Sequence, residues 1–262
     1  MNNKSHNQSP LILFVLSISV ASVVLPTRAE ECVLKSRVSD FPPQYYKSEF
    51  GEWHGMGVEL AKALLEGTGC RLEFVEGPWF RSLLEMKNGS LDIMMNLSIT
   101  EERKSFMHFI GPMRDETILL ATDSESDVNF HDMEDFMQFE KPVGILKGAF
   151  YGESFQDKFD SDDAFKDKFS LIAKNELMLQ MLNKGRLSGL LEDKYSLIWL
   201  KRNQAGPSNL KIHPHPVNKG WVYFGLSKKS VNGKLLIQLQ SSYREAKQQG
   251  KFEKVIKRYS TY

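Results

Sequence analysis

The segment Ser98-Ile99-Thr100-Glu101-Glu102-Arg103 gathers groups that bind an anion. It follows a short apolar run, Leu91 to Leu97, that reads as a buried strand. Thr100 offers a hydroxyl at the N-cap of a following helix, and Arg103 falls in the first turn of that helix. A cation in that turn opposes the helix macrodipole, so nothing local favours it. A guanidinium, a hydroxyl and unpaired backbone N–H groups meeting at one corner suit a carboxylate. Arg engages it bidentately, and the helix N-terminus adds partial positive charge. The same spacing also fits a solvated Arg paired with a neighbouring Glu, and the sequence leaves both open.

Other polar clusters carry less. His213-Pro214-His215-Pro216 places two histidines two residues apart with no acid or cysteine beside them, and it reads as a loop before a metal site. Asp193 stands where a helix begins and suits an N-cap. Met178 and Met181 lie at helical spacing and read as core filler. Arg186 follows a helix stop at Gly185, where the dipole favours a cation. No Gly-x-Ser-x-Gly elbow, His-Glu-x-x-His site or phosphate loop is present, and no cofactor is expected.

The elements that must position these groups alternate between strand and helix, which argues for α/β layers with parallel sheets. Val58, Ala61, Leu64 and Leu65 mark a one-faced helix closed by Gly67 and Gly69. Strand-like 71–75, a helix carrying Trp79, Leu83, Leu84 and Met86, and strand-like 91–97 follow. Residues 122–140 are acidic and irregular, with a short helix expected at 133–137. The pattern resumes with a strand at 142–146 and a turn at Gly148. A short strand at 171–172, a helix at 176–184, a strand at 187–191 and a helix from Asp193 come next. A loop with Pro207, Pro214 and Pro216 precedes a strand at 221–226, a long helix and a final helix after Gly250. The break near 120 and the Pro-rich stretch before 220 suggest that the chain crosses twice between two α/β units. The expected organisation is 30–119, 120–219, and a return segment 220–262 to the first unit.

Residues 1–29 read as a secretory signal peptide rather than part of the fold. Lys4 supplies the positive start, Leu11 to Leu25 is apolar apart from serines, and Thr27-Arg28-Ala29 resembles a cleavage site. The apolar run is short for a membrane span of about 20 residues. Its removal takes Lys4 and Arg28, so the basic count falls from 34 to 32 against 33 acidic residues. A chain so nearly neutral offers no field for nucleic acid or an anionic membrane, which points to function in a local site. Export also makes a disulfide admissible between the two cysteines, Cys32 and Cys70. Each precedes a strand-like run, and if those strands are parallel neighbours both cysteines lie at one end of the sheet. The alternatives are two buried or free thiols; no histidine stands at zinc-ligand spacing from either.

Several segments in order resemble the extracellular solute-binding proteins of the polar amino-acid family, the substrate receptors of ABC importers. Asp40-Phe41-Pro42-Pro43 resembles the opening strand and loop of that family. Gly55-Met56-Gly57-Val58-Glu59-Leu60-Ala61 resembles its first helix start. Gly89-Ser90-Leu91-Asp92 followed by Ser98 to Arg103 is the most specific match. Val143 to Gly148, Gly185 to Asp193, and Gly250 to Tyr259 resemble the opening of the second lobe, its later strand and the closing helix. The resemblance implies a two-lobed periplasmic-binding-protein-like α/β fold with a two-strand hinge and the ligand enclosed in the cleft. It implies Arg103 on the ligand carboxylate, Ser98 and Thr100 as adjacent donors, and Asp193 on the ammonium. It also implies Phe41 and Trp79 as aromatic walls. Asn96 and Tyr151 depart from the usual residues at their positions and are expected at the cleft. Gly148 is followed by Ala149-Phe150 where a hydroxyl is common, and Ser188-Gly189 replaces Asp-Ala.

The implied function is a monomeric periplasmic receptor, not an enzyme, that captures a small polar amino acid or related carboxylate for a membrane ABC permease. Charge pairing of one ligand by Arg103 on one lobe and Asp193 on the other would favour closure. Two alternatives share the scaffold: an enzyme similar to cyclohexadienyl dehydratases, and a sensory ligand-binding protein. The first needs a positioned acid or base, for which Glu59, Glu76 and Glu192 qualify by type alone. Glu192 is expected to face away from the cleft if Leu191 is buried, although strand alternation leaves this open.

Overall fold

The computed structural model describes Met1 and residues 31–124, 126–206 and 210–260; the expected signal peptide lies outside the described residues. In chain order, β1 (Cys32–Val38) is followed by a small hairpin of β2 (Tyr46–Lys47) and β3 (Trp53–His54), then α1 (Met56–Leu65) and β4 (Cys70–Glu76). Next come α2 (Trp79–Asn88), β5 (Ile93–Leu97), α3 (Glu101–Phe106) and the long β6 (Met107–Asp123). A 3-10 turn (Met133–Gln138), β7 (Val143–Leu146), α4 (Glu153–Ser161), α5 (Asp163–Lys166) and β8 (Phe169–Ile172) build the middle. The remainder is α6 (Asn175–Asn183), β9 (Gly189–Asp193), α7 (Lys194–Arg202), the long β10 (Leu210–Ser227), α8 (Gly233–Gln248) and α9 (Lys251–Ser260).

Eight strands join in the order β4-β1-β5-β10-β6-β9-β7-β8. Strands β6 and β10 run antiparallel from Leu210 opposite Asp123 to Ser227 opposite Met107. One end of this pair carries β5, β1 and β4 through β10; the other carries β9, β7 and β8 through β6. The two long strands thus form the hinge between two α/β lobes. The first lobe buries the apolar face of α1 (Val58, Leu60, Ala61, Leu64) with Tyr243 of α8 and Phe252 of α9. In the second, Phe130, Phe136, Phe155, Phe165 and Phe169 form a single aromatic cluster, with Phe136 and Phe169 ring centroids 5.0 Å apart.

β1 and β4 are parallel neighbours with Cys32 directly opposite Cys70, and the two are joined in a disulfide. Two expectations are corrected. The break near 120 is not a change of element, because β6 continues unbroken to Asp123. The loop expected around Pro214 and Pro216 is the first half of β10. Residues 210–220 of β10 pair only with β6, and the register shifts on either side of Pro216. An edge segment with bulges tolerates proline because no ladder N–H is required there. His213 is buried in that strand, 3.0 Å from the Thr122 hydroxyl.

Candidate functional site

Asn96 is the penultimate residue of β5, and its φ of 60° lies in the left-handed region that Asn tolerates better than most residues. The chain then turns into α3. Thr100 caps this helix, its hydroxyl accepting the Arg103 N–H at 3.2 Å. That satisfies an otherwise free helix donor, and it turns Arg103 inward. Arg103 is only 6% exposed. Its guanidinium donates to the Ser98 carbonyl at 2.8 Å and, across the lobes, to the Gly148 carbonyl at 3.0 Å. Trp79 Nε1 donates to the same Gly148 oxygen at 3.0 Å. Burial lowers the Arg103 pKa to about 10, against the pull of Glu116 and Glu102.

Arg37, on β1, is a second buried arginine beside Trp79. It is 4% exposed and donates to the Gly77 carbonyl at 3.1 Å and the Ser39 hydroxyl at 2.6 Å. Its guanidinium carbon lies 5.2 Å from the Trp79 ring centre, and that of Arg103 lies 6.0 Å away. Burial brings Arg37 down to about 10 as well, with Tyr45 opposing.

On the second lobe, β9 ends at Asp193, the N-cap of α7. Its Oδ1 accepts the Tyr195 N–H at 3.0 Å. Its Oδ2 accepts Arg114 Nη1 at 3.0 Å in an ion pair whose side chains are 3% and 1% exposed. Arg114, on hinge strand β6, is fixed further by Asn96 Oδ1 at 3.0 Å and the Asp115 carbonyl at 2.6 Å. Asn96 in turn donates to the Tyr45 hydroxyl at 3.0 Å. Burial works against the Arg114 charge, but Asp193 and Glu116 beside it outweigh that and hold its pKa above the usual range.

Between the lobes lies a cavity of about 60 Å³. Arg103, Asp193 and Ser98 line it, as do Phe41, Trp79, Asn96 and Tyr151. Thr100 does not: its hydroxyl is committed to the α3 cap, and it lines a neighbouring groove instead. The Tyr151 hydroxyl accepts the Leu146 N–H at 2.7 Å, which keeps the ring fixed at the wall. Asp193 lines the cavity with its carboxylate already paired to Arg114.

Four charged residues that line the cavity were not among the expected ligand contacts: Arg37, Arg114, Glu116 and Glu192. Glu192 faces inward, correcting the expectation that it points away. Its carboxylate accepts Asn175 Nδ2 at 2.6 Å and the Asp193 N–H at 2.8 Å. Burial pushes Glu192 up to about 8, despite those two bonds. Burial also raises Glu116 to about 7, with Arg114 and Arg103 opposing. The other acids considered lie elsewhere: Glu59 accepts the Tyr259 hydroxyl at 2.6 Å, and Glu76 pairs with Lys47 at 2.8 Å on the surface. A signal for the missed residues exists in the sequence. Arg114-Asp115-Glu116 interrupts a stretch otherwise marked by Ile110, Met113 and Ile118, and charges inside a buried strand pattern need a reason.

Comparison with known proteins fits this geometry. The family described as bacterial extracellular solute-binding proteins, family 3, matches residues 37–262. A probable histidine-binding protein of Neisseria gonorrhoeae is 22% identical over 223 residues, covering 84% of this chain and 80% of that protein. A solved ancestral arginine-binding protein bound to arginine is 24% identical with a TM-score of 0.73, covering 87% of this chain and 97% of that one. A histidine kinase sensor domain with similarity to periplasmic binding proteins superposes with a TM-score of 0.74 at 17% identity, over 88% and 96% of the two chains. At these identities the solved structures speak for the fold alone.

Proposed function

Because the chain belongs to the bacterial extracellular solute-binding proteins, family 3, we propose that it is the periplasmic receptor of an ABC importer and encloses a small carboxylate-bearing solute, an amino acid or a related carboxylate. One observation carries the reading: a buried guanidinium from the first lobe, Arg103, and the inner end of β9 from the second meet at a single cavity across a two-strand hinge. Such a cavity between hinged halves gives a ligand differential contacts in the closed form, which is what shifts an open–closed equilibrium. In this reading residues 1–29 direct export and are removed. The lobes comprise 30–119 with 220–262, and 120–219, with the chain crossing inside β6 and β10. The protein works as a monomer, performs no chemistry on its ligand, and presents both lobes to a membrane permease.

A thermal-shift screen of amino acids and organic acids tests this. A ligand at about 100 times its Kd adds about 2.7 kcal/mol of stability, a rise in Tm of about 5–10 °C for a unit of this size. For the ligand so found, Arg103→Ala is expected to weaken binding by about 2–5 kcal/mol in calorimetric titration. An unchanged Kd in that variant removes Arg103 from the site.

A further inference from the structure

We propose that the solute held in this cavity is a compact dicarboxylate rather than an α-amino acid, with Arg103 and Arg37 each engaging one carboxylate. This rests on the receptor reading above and narrows it.

Asp193 is already ion-paired from within. Each of its oxygens accepts one hydrogen bond, one from the Tyr195 N–H and the other from Arg114. An incoming ammonium would have to share this carboxylate with a guanidinium that donates to Asp193, Asn96 and the Asp115 carbonyl at 3.0 Å or less. Two other cations in the lining have no ion-paired carboxylate among the described residues. Arg37 and Arg103 are both buried, both line the cavity, and neither has a carboxylate within 4.0 Å among the described residues. Their observed partners are neutral: the Gly77, Ser98 and Gly148 carbonyls and the Ser39 hydroxyl. A guanidinium carries five N–H donors, so each retains free donors after the two bonds it makes. Two buried guanidinium groups with no carboxylate in direct contact are costly, and a ligand with two negative groups would relieve both.

The remaining acids do not restore a zwitterion site. Glu192 faces Asn175 and the Asp193 N–H and has no ion-paired cation among the described residues. Glu116 is flanked by Arg114, Asp193, Arg103 and Ser98, with burial favouring its protonated form below about pH 7. With Glu116 and Glu192 neutral, Asp193 alone offsets three guanidinium groups. A bound dianion would favour the proton on Glu116, so its affinity should fall as pH rises through about 7.

The test is calorimetric titration of the intact protein with pairs that differ at the α-position: 2-oxoglutarate against glutamate, and succinate against aspartate, at pH 6 and pH 8. The diacid is expected to bind at least about tenfold more tightly than its amino counterpart, and more tightly at pH 6. An α-amino acid that binds more tightly than every matched diacid overturns the inference and leaves the receptor reading intact. Absence of binding by any mono-, di- or aminocarboxylate overturns both. Arg37→Gln is expected to collapse the preference for succinate over butyrate by about tenfold. An unchanged preference in that variant overturns the role of Arg37; if the variant does not fold, the paired titrations on the unaltered protein decide alone.

Discussion

The Arg114–Asp193 pair ties the hinge strand to the second lobe, and breaking it tests that role directly. Both side chains are almost fully buried, 3.0 Å apart, and each makes further hydrogen bonds. Replacing a buried pair by matched neutral groups costs little, but removing one partner strands the other charge at about 3–5 kcal/mol. Arg114→Met leaves the Asp193 carboxylate with the Tyr195 N–H alone. Asp193→Asn retains an oxygen for the α7 cap but leaves Arg114 on the neutral acceptors Asn96 and Asp115 carbonyl. Each single variant is therefore expected to lose about 3 kcal/mol, or about 10 °C in Tm for a unit of this size. The double variant should lose no more than the worse single one, a coupling of about 3 kcal/mol. The assay is urea unfolding followed by circular dichroism at pH 7, with stability taken by linear extrapolation. If the two single losses simply add in the double variant, to within about 0.5 kcal/mol, the pair is not coupled and the reasoning fails.

Glu192 predicts a pH profile. Its carboxyl is raised from 4.5 to about 8 in the fold, so the folded state holds a proton that the unfolded state releases. Its contribution is full at acid pH and is lost as pH rises from about 4.5 towards 8; Glu192→Gln should flatten that fall in Tm measured across the range. Reducing the disulfide, or replacing Cys32 and Cys70 by Ala, frees a loop with a sequence separation of 38 residues. Chain entropy sets the loss at about 4 kcal/mol, and denaturant unfolding that shows no difference would refute the estimate. Gly55→Ala forces a side chain at φ 119°, with a Cβ 2.5 Å from the Gln44 carbonyl oxygen. A loss of at least about 2 kcal/mol is expected in the same assay, and a neutral result would mean that the α1 entry relaxes freely.

Much of the fold is written locally. The apolar face of α1 and the Gly89 stop of α2, where φ is 84°, need only periodicity and one left-handed residue to be recognised. The Thr100–Arg103 corner is equally local, since a cap and its helix lie within four residues. The half of β10 at 210–216 was not legible, because its prolines signal a loop unless the strand is known to lie at an edge. Glu192 could not be oriented from Leu191, because β9 is buried on both faces and alternation carries no information there.

The sequence by itself determined most of the segments that become helix and strand, that the cysteines fall at matching strand starts, and that an arginine sits where a helix begins. Those features depend on neighbours a few residues apart. Only the tertiary structure decided which charges meet. Arg114 and Asp193 are separated by 79 residues, and Arg103 reaches Gly148 across 45. Whether Asp193 is open to a ligand or already occupied depends on the register of β6 against β9, which places Ile118 opposite Asp193 and brings Arg114 to the cavity. Side-chain charge is fixed by residue type, but the counter-charge that neutralises it is set by packing, and that pairing determines what the cavity still lacks.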